Sequence, residues 1–518
     1  MAVLDWVALG GYFVVMLLIG VWSHKRVNGV SDYFTGGGKM PWWLSGISHH
    51  MSGYSAAVFV AYAAVAYSYG ITVYIWAFIP LAIGTGVGAL VFAPRWNRLR
   101  RRYGVASPLE YLATRYNIPT QQALAWSGTL LKVFDVAAKW ASVAILLNVF
   151  TNMSMTTGIL VTGIVTMLYC TVGGLWADAL TDFGQFIIQG IAAVAMVVVV
   201  LGELGGVSGL STLWHKLPAH HTEPLVGPYT ATFLTAYVVI KIFEYNGGMW
   251  NLAQRYMATD SPRSARRSAG LSAILYLIWP AFLLFPSVAA PVLLPHVVDP
   301  QQVYALMSEK YLPAGLVGLT LAGMFSHTMA MASSDANAIS SVIVRDMMPV
   351  LSRKARVMSE RAGLLSARIC TVVFITLSML VAIEADHFGG VLGIIVALVA
   401  AVMGPISIPL LLGMLAPFRK CGPRAALTSW AAGLAGYWVV KYGMDGSSTT
   451  TVVVTPLVIS LALYILLGLI LPEPSAEADA IVAAVGPDTD DDDSQGAEGR
   501  VPVPARNQDD QLAERADG

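Results

Sequence analysis

The chain has 518 residues, of which 56% are hydrophobic and 12% charged, with 31 basic and 31 acidic residues in formal balance. That charged share is about half the soluble norm of about 25%, which excludes a soluble protein and points to a membrane. The three cysteines, Cys170, Cys370 and Cys421, are scattered and odd in number, so neither a disulfide framework nor a metal cluster is expected.

Apolar runs of about twenty residues, the length that crosses about 30 Å of hydrocarbon, recur along the chain. About thirteen spans are expected, at 4–22, 41–67, 71–94, 123–150, 154–173, 181–202, 229–256, 269–294, 313–346, 362–384, 389–416, 424–441 and 451–471. The first lacks a basic start and a small-residue cleavage site, so it reads as a retained helix rather than a signal peptide. Alternate loops carry the basic residues. Lys25 and Arg26 lie beside His24; then come Arg95, Arg98 and Arg100–Arg102; then Arg263, Arg266 and Arg267; then Arg345, Arg353, Lys354, Arg356 and Arg361; then Arg419, Lys420 and Arg424. The positive-inside rule makes these loops cytoplasmic, with the N-terminus outside and the C-terminus inside. The same loops can touch anionic lipid.

From Glu473 onward there are thirteen acids and three arginines, leaving 28 basic and 18 acidic residues for the rest. Residues 472–518 therefore read as an acidic, disordered cytoplasmic tail following a transmembrane domain at 1–471. No soluble catalytic domain follows Leu471, and nothing in the chain suggests nucleic acid.

Two spans are interrupted in the same way. The second carries Gly46, Ser48, Ser52, Gly53 and Ser55 near its middle, and the seventh carries Asn246, Gly247 and Gly248. Their starts lie five spans apart. This spacing matches a five-plus-five inverted repeat, with repeats at about 41–202 and 229–416. An unwound turn at mid-membrane depth leaves backbone groups free to bind ions and solute.

Ionisable groups within the spans default to a functional reading. The sixth span opens with Asp178 and Asp182. The fourth carries Lys132, Asp135 and Lys139, which can neutralise one another and read as mainly structural. Lys241 can pair with Glu244 beside the second break. The ninth span, LAGMFSHTMAMASSDANAISSVIVRDM, offers Ser326, Thr328, Ser333, Ser334, Asp335, Ser340 and Ser341. Hydroxyls and a carboxylate suit a hard cation, which prefers oxygen ligands. His49, His50 and His327 offer an alternative proton relay.

Four stretches together resemble the sodium:solute symporter family, the solute carrier 5-like carriers of the LeuT-fold superfamily. They are SDYFTGGGKMPWWLSGIS, TVGGLWADALTDFGQ, NLAQRYMATDSPRSARRS and the ninth-span segment, in the family's order. The resemblance runs from about Asp5 to Leu471. It implies an all-α LeuT-like fold, alternating access in the plasma membrane, import of a small organic solute with Na⁺, and no other cofactor. The family's main sodium site would use backbone carbonyls within Ser52–Ala56 and two hydroxyls on the ninth span. Those hydroxyl positions hold Ala330 and Met331 here, so the cation site is expected instead at Asp182, Ser333, Ser334 and Asp335. Ser52, Tyr54, Ala56 and Thr328 complete the cation candidates. The solute candidates are His49, His50, Ser52, Tyr54, Glu244, Asn246, Trp250 and Asn251. Met249 stands where sugar carriers of the family have an Asn, which argues against a copy of their site. Proton-coupled symport or uniport on the same fold is the alternative reading. A sensor or channel stands behind it, and no nucleophile–base or metal-ligand pattern supports an enzyme.

Overall fold

The structure is a computed structural model. It describes the chain apart from residues 24, 26, 28, 385–403, 445–448 and 488–518. The described residues are mostly helical, and their only β-pairing is an isolated parallel bridge between Met40 and Thr259. Six helices among them are long and apolar enough to cross a membrane: Val3–Ser23, Met155–Glu203, Pro262–Leu293, Leu316–Leu351, Glu360–Ile383 and Thr451–Ile470. The helix Tyr74–Leu90 with Ala93–Tyr103 forms a seventh candidate, bent by 44°. Other expected spans are helices too polar or too broken to pass such a test, as Ile118–Thr151 and Ala231–Phe243 are. Of the expected span 389–416, residues 389–403 lie outside the described residues, as do His24 and Arg26; Gly404–Leu412 is helical.

One expectation is refined and one changes. The runs 154–173 and 181–202 form one helical stretch, Met155–Glu203, broken only at Gly174 with φ 53° and ψ −147°. A straight helix of 49 residues would be about 74 Å long at 1.5 Å per residue, far beyond a bilayer. The chain instead folds back. Tyr169 Oη donates to Met329 O at 3.1 Å, and Gln185 Nε2 donates to Tyr12 Oη at 3.2 Å. Tyr12 in turn reaches Met329 Sδ at 3.3 Å, so residues on both sides of Gly174 meet at one depth. Second, the tail is not irregular from Glu473. Ala476–Val485 is a helix burying Ala478, Ile481, Val482 and Val485, the i, i+3, i+4, i+7 pattern of one helical face. It packs on Ala93–Tyr103, where Arg98 Nη1 donates to Val485 O at 3.3 Å and Tyr103 Oη to Ala480 O at 3.4 Å. The acidic run beyond residue 487 lies outside the described residues.

The basic clusters mostly sit on helix ends rather than in open loops. Arg95–Arg102 lies within the helix Ala93–Tyr103, and Arg263–Arg267 opens Pro262–Leu293.

Both expected breaks are present. The first broken helix runs Trp42–Met51, loses helical form from Ser52, and resumes as Val58–Tyr69. The second runs Ala231–Phe243, passes through a wide turn at Glu244–Gly248, and resumes as Trp250–Ala258. Each break is closed by polar atoms of the other. Asn251 Nδ2 donates to Ser52 O at 3.3 Å, and Tyr245 Oη donates to Gly53 O. Met40 N donates to Ala258 O at 3.0 Å where the two helices' far ends meet. Without such partners each freed backbone group would cost several kcal/mol in hydrocarbon.

Gly174 has a left-handed φ, and a Cβ there would lie 2.6 Å from Tyr33 O. Gly174→Ala is therefore expected to destabilise the protein by about 1–3 kcal/mol, read as a lowered melting temperature in detergent. Gly86→Ala, where a Cβ meets nothing within 4 Å, should leave it unchanged or raise it.

Candidate functional site: a buried carboxylate–guanidinium cluster beside a polar cavity

Two pairs of residues four apart meet across a helix interface. Ser48 and Ser52 lie on one face at the end of the first broken helix, and Asp178 and Asp182 lie on one face of the helix after Gly174. Ser48 Oγ donates to Asp182 Oδ2 at 2.5 Å and Ser52 Oγ to the same oxygen at 3.2 Å. From Leu316–Val342, Ser334 Oγ donates to Asp178 Oδ2 at 2.8 Å and lies 2.8 Å from Ser52 Oγ. Ser333 Oγ donates to Asp178 Oδ1. Into this cluster Trp250–Ala258 sends Arg255, whose Nη2 donates to Asp178 Oδ2 and Ser334 Oγ. All these side chains are fully buried. Asp182 Oδ1 has no hydrogen-bond partner among the described residues.

The electrostatics follow from counting. With both carboxylates ionised, two carboxylates and one guanidinium would leave one negative charge in a buried, water-poor place. A buried uncompensated charge costs several kcal/mol, and Asp182 Oδ1 is the carboxylate oxygen of the cluster left without a partner.

Asp335, expected in the same site, is elsewhere. One residue past Ser334 is about 100° further round a helix, and Asp335 faces the helix Ile118–Thr151 instead. There it accepts from Lys132 at 3.0 Å and Lys139 at 2.6 Å, while Asp135 accepts from the same lysines at 2.8 and 2.9 Å. The four side chains form a closed, neutral ring with no charge left for a mobile ion. The reading of Lys132, Asp135 and Lys139 as structural thus gains a fourth member.

The carbonyls expected of the main sodium site are largely engaged. Ser52 O and Gly53 O accept from the second broken helix, while Ser55 O and Ala56 O accept from Val58 N at 3.1 Å and Phe59 N at 2.9 Å. Thr328 Oγ1 accepts from Ala56 N at 3.0 Å, which pins the break to the ninth span rather than presenting a ligand. Ala330 is buried, and Met331 lines a cavity.

That cavity opens between the two breaks. Of the solute candidates, Tyr54 and Glu244 line it. Around them stand Asp135, Lys139 and Lys241, with tyrosine rings from several elements. Glu244 accepts from Lys241, whose Nζ also lies 4.7 Å from the Tyr237 ring centre. The other candidates do not face it. Asn246 Nδ2 donates to Gly84 O at 2.9 Å and Ile242 O at 2.7 Å, and its carbonyl accepts from Trp96 Nε1 at 2.6 Å. Trp250 packs on Gly128. Asn251 and Ser52 are committed to the break and the carboxylates. His49 has both ring nitrogens engaged, by Tyr256 Oη at 2.8 Å and Ser272 Oγ at 3.0 Å. His50 bonds Tyr54 Oη at 2.9 Å and leaves Nδ1 without a partner; His327 bonds Gln189 and Met51 O. Asp178, Ser48 and Arg255 were missing from the expected site. The four-residue spacing of both pairs was the signal that could have found Asp178 and Ser48, and no such signal pointed to Arg255.

Residues 33–433 match the model of the sodium:solute symporter family, more than half of the chain, so the protein belongs to that family. It is 24% identical over 471 residues to the sodium/sialic acid symporter SiaT of Proteus mirabilis, covering 85% of this chain and 90% of that one. It is 27% identical over 464 residues to the human sodium/iodide cotransporter, covering 83% and 69%. In structure it matches a substrate-bound, outward-open Na⁺-coupled sialic acid symporter with a TM-score of 0.80 at 22% identity, over 92% of this chain and 99% of that one. A nucleobase-cation-symport-1 family transporter, Mhp1, matches at 0.57 and 14% identity, over 88% and 98%. The fold is LeuT-like, and the protein is a multi-pass membrane transporter rather than an enzyme.

Because Asp335 belongs to the neutral ring, Asp335→Asn should leave two buried lysines sharing one carboxylate. A loss of about 3–5 kcal/mol is expected, seen as a large fall in melting temperature. The response of the folded variant to Na⁺ should stay that of the wild type.

Proposed function

We propose that the protein is a Na⁺-coupled symporter that imports a small polar organic solute across the plasma membrane by alternating access. The observation that carries this reading is the buried, unpartnered Asp182 Oδ1 beside Asp178 and Arg255, a cluster left with one negative charge when both carboxylates are ionised. Na⁺ bound at Asp182 Oδ1, with the neighbouring serine hydroxyls, neutralises it. Inward movement of one charge then gains about 2.3 kcal/mol per 100 mV of membrane potential. The N-terminus is placed outside and the tail inside by the basic residues, with about thirteen spans in all and five-plus-five core repeats.

The solute occupies the cavity between the breaks. Its lining combines tyrosine rings with the ion pairs Asp135–Lys139 and Lys241–Glu244. An apolar guest would strip water from these charges without replacing it, so a hydrogen-bonding solute fits. Relatives named for sialic acid and for iodide show that family membership leaves the solute open.

A proton on Asp182 would neutralise the cluster equally well, and the unpartnered Oδ1 favours keeping that second reading. The two separate in one experiment on the purified protein. Melting temperature is measured against NaCl, against matched choline chloride, and across a pH series, because a ligand of the folded state stabilises by mass action. Sodium symport predicts a saturable, Na⁺-specific rise that disappears in Asp182→Asn and in Ser333→Ala with Ser334→Ala. A response to pH alone would transfer the coupling to protons.

A further inference from the structure

Arg255 Nη2 faces four oxygens at once: Asp178 Oδ2, Ser334 Oγ, Ser52 Oγ at 3.3 Å and Asp182 Oδ2 at 3.6 Å. This is an oxygen cage gathered from three helices around a single positively charged nitrogen. The rest of the guanidinium is poorly served. Its Nε and Nη1 are buried with no hydrogen-bond partner, although the side chain is fully buried. A guanidinium placed to satisfy itself would use its fork on both nitrogens of one edge. This one gives up that geometry to put one nitrogen among oxygens that suit a hard cation.

We infer that Arg255 is a tethered competitor for the coupling cation: its guanidinium and Na⁺ take turns at Ser52, Ser334 and Asp182. This rests on the Na⁺ reading above and adds the residue that regulates the same site. A hard cation needs oxygens at its own short distance, on the order of 2.3–2.6 Å for Ca²⁺, whereas charged N–H···O bonds span about 2.7–2.9 Å. One cage cannot hold both. When Na⁺ enters, Arg255 keeps Asp178 and withdraws from the two hydroxyls and from Asp182. When Na⁺ leaves, the guanidinium returns, so the emptied carboxylate is not left alone in low dielectric.

The same residue ties the ion to the solute. Arg255 lies on Trp250–Ala258, whose Asn251 holds Ser52 O and whose preceding turn, Glu244–Gly248, borders the cavity. A shift of that short helix changes the cation cage and the solute wall together, which gives the two ligands a shared element to bias.

The test is the NaCl concentration giving half of the maximal thermal shift, read on the full-length protein in detergent with choline chloride as control. Arg255→Gln removes the competitor and should lower that concentration about tenfold or more, given that close charge pairs are worth at least about 1.5 kcal/mol. Arg255→Lys keeps a charge in place and should stay closer to the wild type. If Arg255→Gln does not fold, the double variant Asp178→Asn with Arg255→Gln removes the ion pair together. It keeps the cluster's net charge, so tighter Na⁺ binding than wild type there reports lost competition rather than added negative charge. Unchanged or weaker Na⁺ binding in both variants would overturn the inference while leaving sodium coupling intact. A Na⁺ shift in the Arg255 variants but not in the wild type would keep the competitor and overturn sodium coupling. No Na⁺ shift in any form would overturn both.

Discussion

Two carboxylates and a single guanidinium, shut away from water at the meeting of four helices, impose a constraint that the surrounding structure answers. Asp178 pairs with Arg255 through Nη2 alone, and Asp182 does not have a full partner of its own. In water this imbalance would be trivial. In a medium of low dielectric it is worth several kcal/mol, enough to decide whether an ion is bound. The hydroxyls of Ser48, Ser52, Ser333 and Ser334 soften the penalty by donating to the carboxylates, but hydroxyls carry no charge. On the proposed reading the missing charge is a Na⁺ ion, taken up once per transport cycle.

The broken helices matter for the same reason. A continuous helix hides its carbonyls and amides, whereas the interruptions at Ser52 and at Glu244–Gly248 release them at depth. Here most of the released carbonyls are held by Asn251, Tyr245 and the next turn of chain, so few of them form a bare ligand set. On the proposed reading, ion binding falls to side chains. That agrees with Ala330 and Met331 standing where the family resemblance would place hydroxyls, and with Met331 facing the solute cavity instead.

Much of this was legible in the chain. Apolar run lengths located the spans, and clustered Gly, Ser and Asn located both breaks, because few other residues tolerate an interrupted helix in a membrane. The reversal at Gly174 falls between the expected spans 154–173 and 181–202, and the detail not legible was that one left-handed glycine does the work of a loop. The helix Ala476–Val485 was hidden by judging the acidic tail on overall composition, although its alanines and valines recur with a helical period. Asp335 was misplaced because a polar run shows which side chains are present but not which way round the helix they point. Arg255 was missed for a related reason: its partners are some eighty residues away or more along the chain, and only the fold brings them within reach.

The central claim is that one mobile Na⁺ completes the buried cluster through Asp182. Equilibrium binding of ²²Na⁺ to the purified protein, with its stoichiometry, tests this most directly. The account predicts a saturable site that is absent in Asp182→Asn and kept in folded Asp335→Asn. Binding of ²²Na⁺ that survives Asp182→Asn unchanged would contradict it and return the search to the carbonyls of the first break.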